Sequence, residues 1–186
     1  MDKTIQYINL YKELHCRNKN YGNGSMYPGH HVRLTHIVHK TGSKSLLDYG
    51  CGKAQCYTEE MYNDLGCVPS LYDPAVTEYS TLPETMFDGI FSIDVMEHIP
   101  EEGISHVFNY MQSHATKFIY LAICQRLAHA ILPNGENAHC TIKPRQWWID
   151  MLNMCPGTKK VYTIINFMDY KHKEENGILE LFKGEK

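Results

Sequence analysis

Between Ser45 and Gln55 the chain reads Ser-Leu-Leu-Asp-Tyr-Gly-Cys-Gly-Lys-Ala-Gln. Leu46 and Leu47 suit a buried strand, and Gly50 and Gly52 let the backbone turn where a side chain would collide with a bound ligand. A helix opening directly after such a turn aims its first N–H groups at the same place, which suits a polar or anionic cofactor. Most glycines only make turns, so this stretch alone leaves a plain turn and a cofactor loop equally open. A second carboxylate, Asp73, closes the run Ser70-Leu71-Tyr72. An acid about 25 positions after the first strand is where a dinucleotide-type fold accepts both ribose hydroxyls, the plain alternative being a turn-forming Asp before Pro74. In the third grouping, Pro133 to His139, an ordered turn accounts for Pro133-Asn134-Gly135 but not for Glu136, Asn137 and His139 gathering beside it. His30, His31, His36 and His39 read as surface or core histidines.

These residues need elements to hold them. Residues 2–17 predict a helix with Ile5, Ile8, Tyr11 and Leu14 on one face, packed on the domain or folded over its site. The stretch 20–29, rich in Gly, Asn and Pro, predicts a loop or lid, and 30–40 a second helix ended by Gly42. Residues 55–65 suit a helix stopped by Gly66. Between Asp73 and the strand at 88–95 there is no room for a full helix and strand, so one βα unit is shortened. Pro100, Glu101 and Glu102 open a helix carrying Ile104, Val107, Phe108 and Met111. Residues 117–124 form a continuous apolar strand suited to the middle of a parallel sheet. Pro144 opens a helix whose Trp147 and Trp148 read as core, closed by Pro156 and Gly157. The β-rich runs 160–168 and 177–182 predict a closing antiparallel hairpin. The fold class is α/β: a three-layer, doubly wound, mostly parallel Rossmann-like sheet with its ligand at the strand C-termini.

The 186 residues suit one domain, with 1–44 as N-terminal helices and lid and 45–186 as the core. A net charge of −3 gives no general attraction to nucleic acid or anionic membrane. The chain start has no signal-peptide core and no apolar run spans a bilayer, so a cytoplasmic location is expected. The seven cysteines are scattered without a Cys-x-x-Cys pair, which indicates neither a disulfide framework nor a cysteine zinc site.

Leu-Leu-Asp-Tyr-Gly-Cys-Gly (46–52), Tyr-Asp-Pro (72–74) and Phe-Asp-Gly-Ile-Phe-Ser-Ile-Asp-Val-Met-Glu-His-Ile-Pro (87–100) together resemble the successive motifs of class I S-adenosylmethionine-dependent methyltransferases. The resemblance covers about residues 45–182 and is strongest from 45 to 100. It implies S-adenosylmethionine as cofactor and S-adenosylhomocysteine as product. Asp48, with Tyr49, Gly50, Cys51 and Gly52, would hold the methionine end; Asp73, followed by Pro74, would take the ribose; Asp94 would contact the methionine or adenosine. Ala54 stands where a third glycine is usual, and the short 73–87 stretch leaves Glu78 or Ser80 for the adenine side.

A sulfonium methyl is already electrophilic, so such an enzyme mainly aligns the acceptor lone pair and removes its proton. His98 and His139 are the candidate bases, with Glu97 beside them. Asp94, Glu97 and His98 with a later His also resemble the metal site of the ubiquinone-pathway O-methyltransferases and of the small-RNA 3′-end 2′-O-methyltransferases. A divalent ion there would acidify a substrate hydroxyl. The preferred alternative is that Glu97 and His98 cap the next helix and seat the cofactor, so no metal ligands are assigned. The expected acceptor is an oxygen or nitrogen of a small molecule. An RNA or nucleotide methyltransferase, a non-catalytic cofactor binder and a homo-oligomer stay open, and no membrane partner is expected. An oxidoreductase is disfavoured because Gly50-Cys51-Gly52-Lys53-Ala54-Gln55 lacks the third glycine of a nicotinamide fingerprint.

Overall fold

The computed structural model describes residues 2–155, 161–168 and 177–181, the last as backbone. In chain order the elements are α1 (Lys3–Arg17), α2 (Pro28–Thr41), β1 (Leu46–Tyr49), α3 (Glu59–Leu65), β2 (Ser70–Tyr72), β3 (Phe87–Ile93), α4 (Glu101–His114), β4 (Ala115–Cys124), α5 (Arg145–Met154), β5 (Tyr162–Met168) and β6 (Gly177–Leu181). Short 3₁₀ turns lie at Thr77–Tyr79 and Met96–His98. The strands form one sheet in the order β2-β1-β3-β4-β5-β6. All neighbours run parallel except β5 and β6, which pair antiparallel with Ile165 opposite Leu179. Five parallel strands flanked by helices make this an α/β, Rossmann-like arrangement.

The period of two along β4 sets the layers. Phe118, Tyr120, Ala122 and Cys124 join Leu34, Ile37 and Val38 of α2 and Leu65 of α3 in one buried cluster. Ile119, Leu121 and Ile123 meet Ile104, Phe108 and Met111 of α4 and Trp148 and Leu152 of α5 in another. Both faces of β4 are therefore dry, as its unbroken apolar run predicts. Trp148 is fully buried, in keeping with its reading as core.

Several boundaries move for local reasons. The segment after the glycine turn does not enter a helix at once: Ala54 takes a left-handed φ of 53°, and α3 waits for Thr58, whose side chain accepts from the Met61 N–H. The N–H groups of α3 therefore do not open at the glycine turn as the sequence suggests. Between β2 and β3 there is only the Thr77–Tyr79 turn, so the βα unit is shortened as expected. The buried side of α1 is Tyr7, Tyr11 and Leu14, an i, i+4, i+7 stripe; Ile5 is exposed. The proposed helix stop at Pro156-Gly157 and the hairpin's connecting segment lie outside the described residues. Among those residues no helix is long and apolar enough to cross a membrane.

Candidate functional site

The C-terminal ends of β1, β2, β3 and β4 bring the sequence-predicted site residues to one edge of the sheet. At the end of β1, Gly50 and Gly52 have φ of 91° and 58°. The Gly50 and Cys51 N–H groups both donate to the Tyr72 carbonyl, at 2.7 and 3.1 Å. A Cβ on Gly50 would lie 2.5 Å from the Val95 side chain, so that position needs glycine for conformation and for space. Cys51 is buried, and its thiol is pushed up mainly by that burial and then by Asp48 and Asp73. Tyr49 packs against Tyr72 and Tyr110 with ring centroids 4.9 and 5.8 Å apart, which makes it a wall of the core.

Asp48 is buried under this turn and accepts one hydrogen bond, 2.8 Å, from the Tyr57 hydroxyl. Burial pushes its carboxyl up to about 7; the Tyr57 hydrogen bond opposes this, and neighbouring Asp73 adds to it. Among the described residues it forms no salt bridge. Asp73 works on the backbone: Oδ2 accepts from the Gly52 N–H at 2.9 Å and Oδ1 from the Ala75 N–H at 2.8 Å. The second bond is the Asx turn that an Asp before Pro74 predicts, and the first ties β2 to the glycine turn. Each oxygen keeps a further lone pair. Glu78 is exposed, and the Ser80 hydroxyl is spent on the Thr77 carbonyl.

At the end of β3, Asp94 takes a left-handed φ of 60°, which turns the chain into the Met96–His98 3₁₀ turn. Glu97 is fully buried. Its Oε1 accepts from the Cys124 N–H at 2.7 Å, while Oε2 has no donor. Burial holds its carboxyl well above the ordinary range, and the Asp94 carboxylate adds to this. His98 donates from Nδ1 to the Ala138 carbonyl at 2.8 Å, which leaves the Nε2 lone pair free. Burial, then the neighbouring His139, lowers it to about 4. His139 donates from Nδ1 to the Arg126 carbonyl at 2.5 Å, and the two imidazoles meet edge to face at 4.6 Å. His139 thus lies at the strand C-termini, where its place in the chain puts it.

The helix over 2–17, expected to pack on the domain or fold over its site, covers this edge, but with Tyr7, Tyr11 and Leu14 rather than with the Ile5 and Ile8 face. In α1, the Tyr11 hydroxyl lies 2.9 Å from the His98 carbonyl and 2.6 Å from that of Ala138, and the Tyr7 hydroxyl donates to Glu136 at 2.5 Å. The loop after α1 lies on the glycine turn: the Lys53 N–H donates to the Gly22 carbonyl at 2.6 Å, and Lys53 Nζ to the carbonyls of Asn18 and Lys19. A Cβ on Gly52 would strike that Gly22 carbonyl. Tyr21 packs edge to face on His15 at 5.1 Å, and burial followed by Asp94, Asp73 and Glu97 raises its hydroxyl. The signal for α1 was the Tyr7, Tyr11, Leu14 stripe, eclipsed by the more apolar Ile5 and Ile8. Nothing in the sequence pattern marked Cys124, which reads as one more apolar strand residue.

Of the four histidines of α2, three have protein partners and His36 is exposed. His30 hydrogen-bonds the Tyr120 hydroxyl at 3.0 Å, His31 lies 3.3 Å from the Asp64 carboxylate and His39 bonds the Asp64 carbonyl. Cys16, Cys51, Cys56, Cys67, Cys124 and Cys140 are free thiols.

No family model, curated protein or solved structure matches this chain.

Proposed function

We propose that the chain is an S-adenosylmethionine-dependent methyltransferase acting on an oxygen or nitrogen of a small molecule. The observation that carries this reading is Asp48, a buried carboxyl under a glycine turn that has no salt-bridge partner among the described residues. The methionine end of the cofactor brings an ammonium group, which is what such a carboxylate needs in order to ionise. Asp73, one turn away at the end of β2, has lone pairs left for two ribose hydroxyls. Asp94 directly follows the C-terminal end of neighbouring β3.

The chemistry then asks little of the chain. The acceptor's lone pair forms a bond to the sulfonium methyl carbon as the sulfur–carbon bond breaks; S-adenosylhomocysteine leaves with the electron pair, and the acceptor's proton passes to a base. His98 fits that last task, since it is neutral throughout the physiological range and its Nδ1–H is fixed on Ala138, leaving Nε2 to accept. The loop over Gly52 and the α1 tyrosines would exclude water during the transfer.

Calorimetry tests the cofactor. S-adenosylhomocysteine should bind, Asp73→Asn should weaken it by about 1.5 to 3 kcal/mol, and NAD should bind far more weakly. Equal affinity for NAD defeats the reading. Labelled S-adenosylmethionine with fractionated extract then locates the acceptor, and His98→Gln should lower turnover about 10²- to 10⁴-fold with cofactor affinity unchanged. The second reading, a non-catalytic binder, draws on Ala54 and the shortened 73–87 stretch; binding without transfer to any small-molecule, RNA or protein fraction would favour it.

A further inference from the structure

We infer that Asp94, Glu97, Cys124 and His139 form a site for one borderline divalent cation of the Zn²⁺ class, closed by four protein donors. A carboxylate oxygen from each acid, the Cys124 sulfur and a ring nitrogen of His139 all lie within 4.8 Å of one another. In a tetrahedral zinc site, bonds of roughly 2.0 to 2.3 Å put the donors about 3.3 to 3.8 Å apart. The cluster is therefore within about 1 to 1.5 Å of coordination distance.

Proximity alone would not make a site, and three further features point to a cation. Glu97 is fully buried and its Oε2 has no hydrogen-bond donor, an arrangement that is costly unless something positive sits against it. The nearby Asp94 carboxylate, another acceptor, cannot supply that. Two of the four donor side chains are also held by an outer partner: Glu97 through Oε1 by the Cys124 N–H, and His139 through Nδ1 by the Arg126 carbonyl, which fixes the tautomer with its lone pair on Nε2. Finally, the four donors come from three places, the end of β3, the end of β4 and the 125–143 loop, so one ion would fasten that loop to the sheet.

This set differs from the one suggested by the family resemblance. His98 falls outside it and Cys124 enters, which moves the preference from hard ions such as Mg²⁺ to borderline ones that accept sulfur. Four protein donors leave no position for a substrate, so the ion is structural. A single proton shared by Asp94 and Glu97 would relieve the two facing acceptors, but gives no reason for sulfur and imidazole to converge on them.

The test uses the full chain, stripped with a chelator and dialysed against limiting Zn²⁺ or Co²⁺. About one metal per chain should be retained, with a rise in melting temperature. The Co²⁺ form should show intense visible absorption of a tetrahedral site and a thiolate-to-cobalt charge-transfer band. Cys124→Ser should lose that band while the exposed Cys16→Ser keeps it, and Glu97→Gln and His139→Gln should each weaken retention by at least about tenfold. Substoichiometric retention, a spectrum unchanged by Cys124→Ser, or binding of Mg²⁺ in preference to Zn²⁺ would each overturn the site. Should Cys124→Ser not fold, as judged by circular dichroism, Glu97→Gln decides the matter, because it alters one atom at constant shape. The inference does not rest on the methyl-transfer reading: metal retention and S-adenosylhomocysteine binding are separate measurements, and either can fail alone.

Discussion

At the residue scale the most informative group is Asp48. Its sequence context gives its place, at the end of a strand before a glycine turn, but not its protonation, which depends on Tyr57 and on burial. With a carboxyl at about 7 in the free protein, a bound ammonium group would pull it down, so binding should release a proton and affinity for S-adenosylhomocysteine should rise from pH 6 to pH 8. Asp48→Asn should abolish that dependence and weaken binding. The same group acts on folding with a definite sign. An acid whose folded value is raised keeps a proton that the unfolded chain gives up, so its contribution to stability is present at low pH and lost as pH rises toward about 7. Asp48→Asn should therefore stabilise the free protein at pH 8, on the order of 1 kcal/mol or more, and do little near pH 4. Melting curves at the two values measure this; equal shifts at both would show that Asp48 is not the buried, uncompensated acid described.

At the element scale, the sequence was clearest where one physical signal dominated. The apolar run of β4 and the Pro-Glu-Glu opening of α4 are strong local signals, and both elements stand where they point. The α3 start is set by a local cap, Thr58, that the apolar pattern alone passes over, whereas the buried face of α1 depends on tertiary contact with the loop at 132–138. The β3–β4 pair also holds a packing constraint. Gly89 is opposite Phe118, whose ring occupies the place a Cβ at Gly89 would take. Gly89→Ala must push that fully buried ring out of the α2 side of the core, at a cost of about 1 to 3 kcal/mol. Because Gly89 lies early in β3, away from the strand ends that carry the site, cofactor affinity should be unchanged. Adding Phe118→Leu should recover part of the loss, which a double-mutant cycle in urea would read as coupling. Simple additivity would mean that the ring is not what fills the glycine's space.

For the whole molecule, the apolar side chains divide unevenly. Two large clusters lie on the faces of the sheet, and a smaller one, Tyr7, Tyr11, Leu14, Ala75, Leu132 and Ala138, holds α1 across the strand ends. The sheet clusters share strands and so should open only with global unfolding. The small cluster shares none with them and is tied down by a few hydrogen bonds, those of Tyr7, Tyr11 and Lys53. Such a unit opens sub-globally at lower free energy. Opening is also what a ligand needs, since the Gly22 carbonyl lies on Gly52 and the entrance to the glycine turn is covered. Hydrogen exchange should find α1 and the 126–140 loop exchanging together, well ahead of β3 and β4. Tyr11→Phe should speed both segments by about 5-fold, the effect of losing roughly 1 kcal/mol of hydrogen bonding. S-adenosylhomocysteine should slow both, because a ligand enclosed under the closed strap stabilises that state in proportion to its occupancy. If α1 amides are protected as strongly as those of β4 in the free protein, the strap is part of the core, and the cofactor must enter by another route.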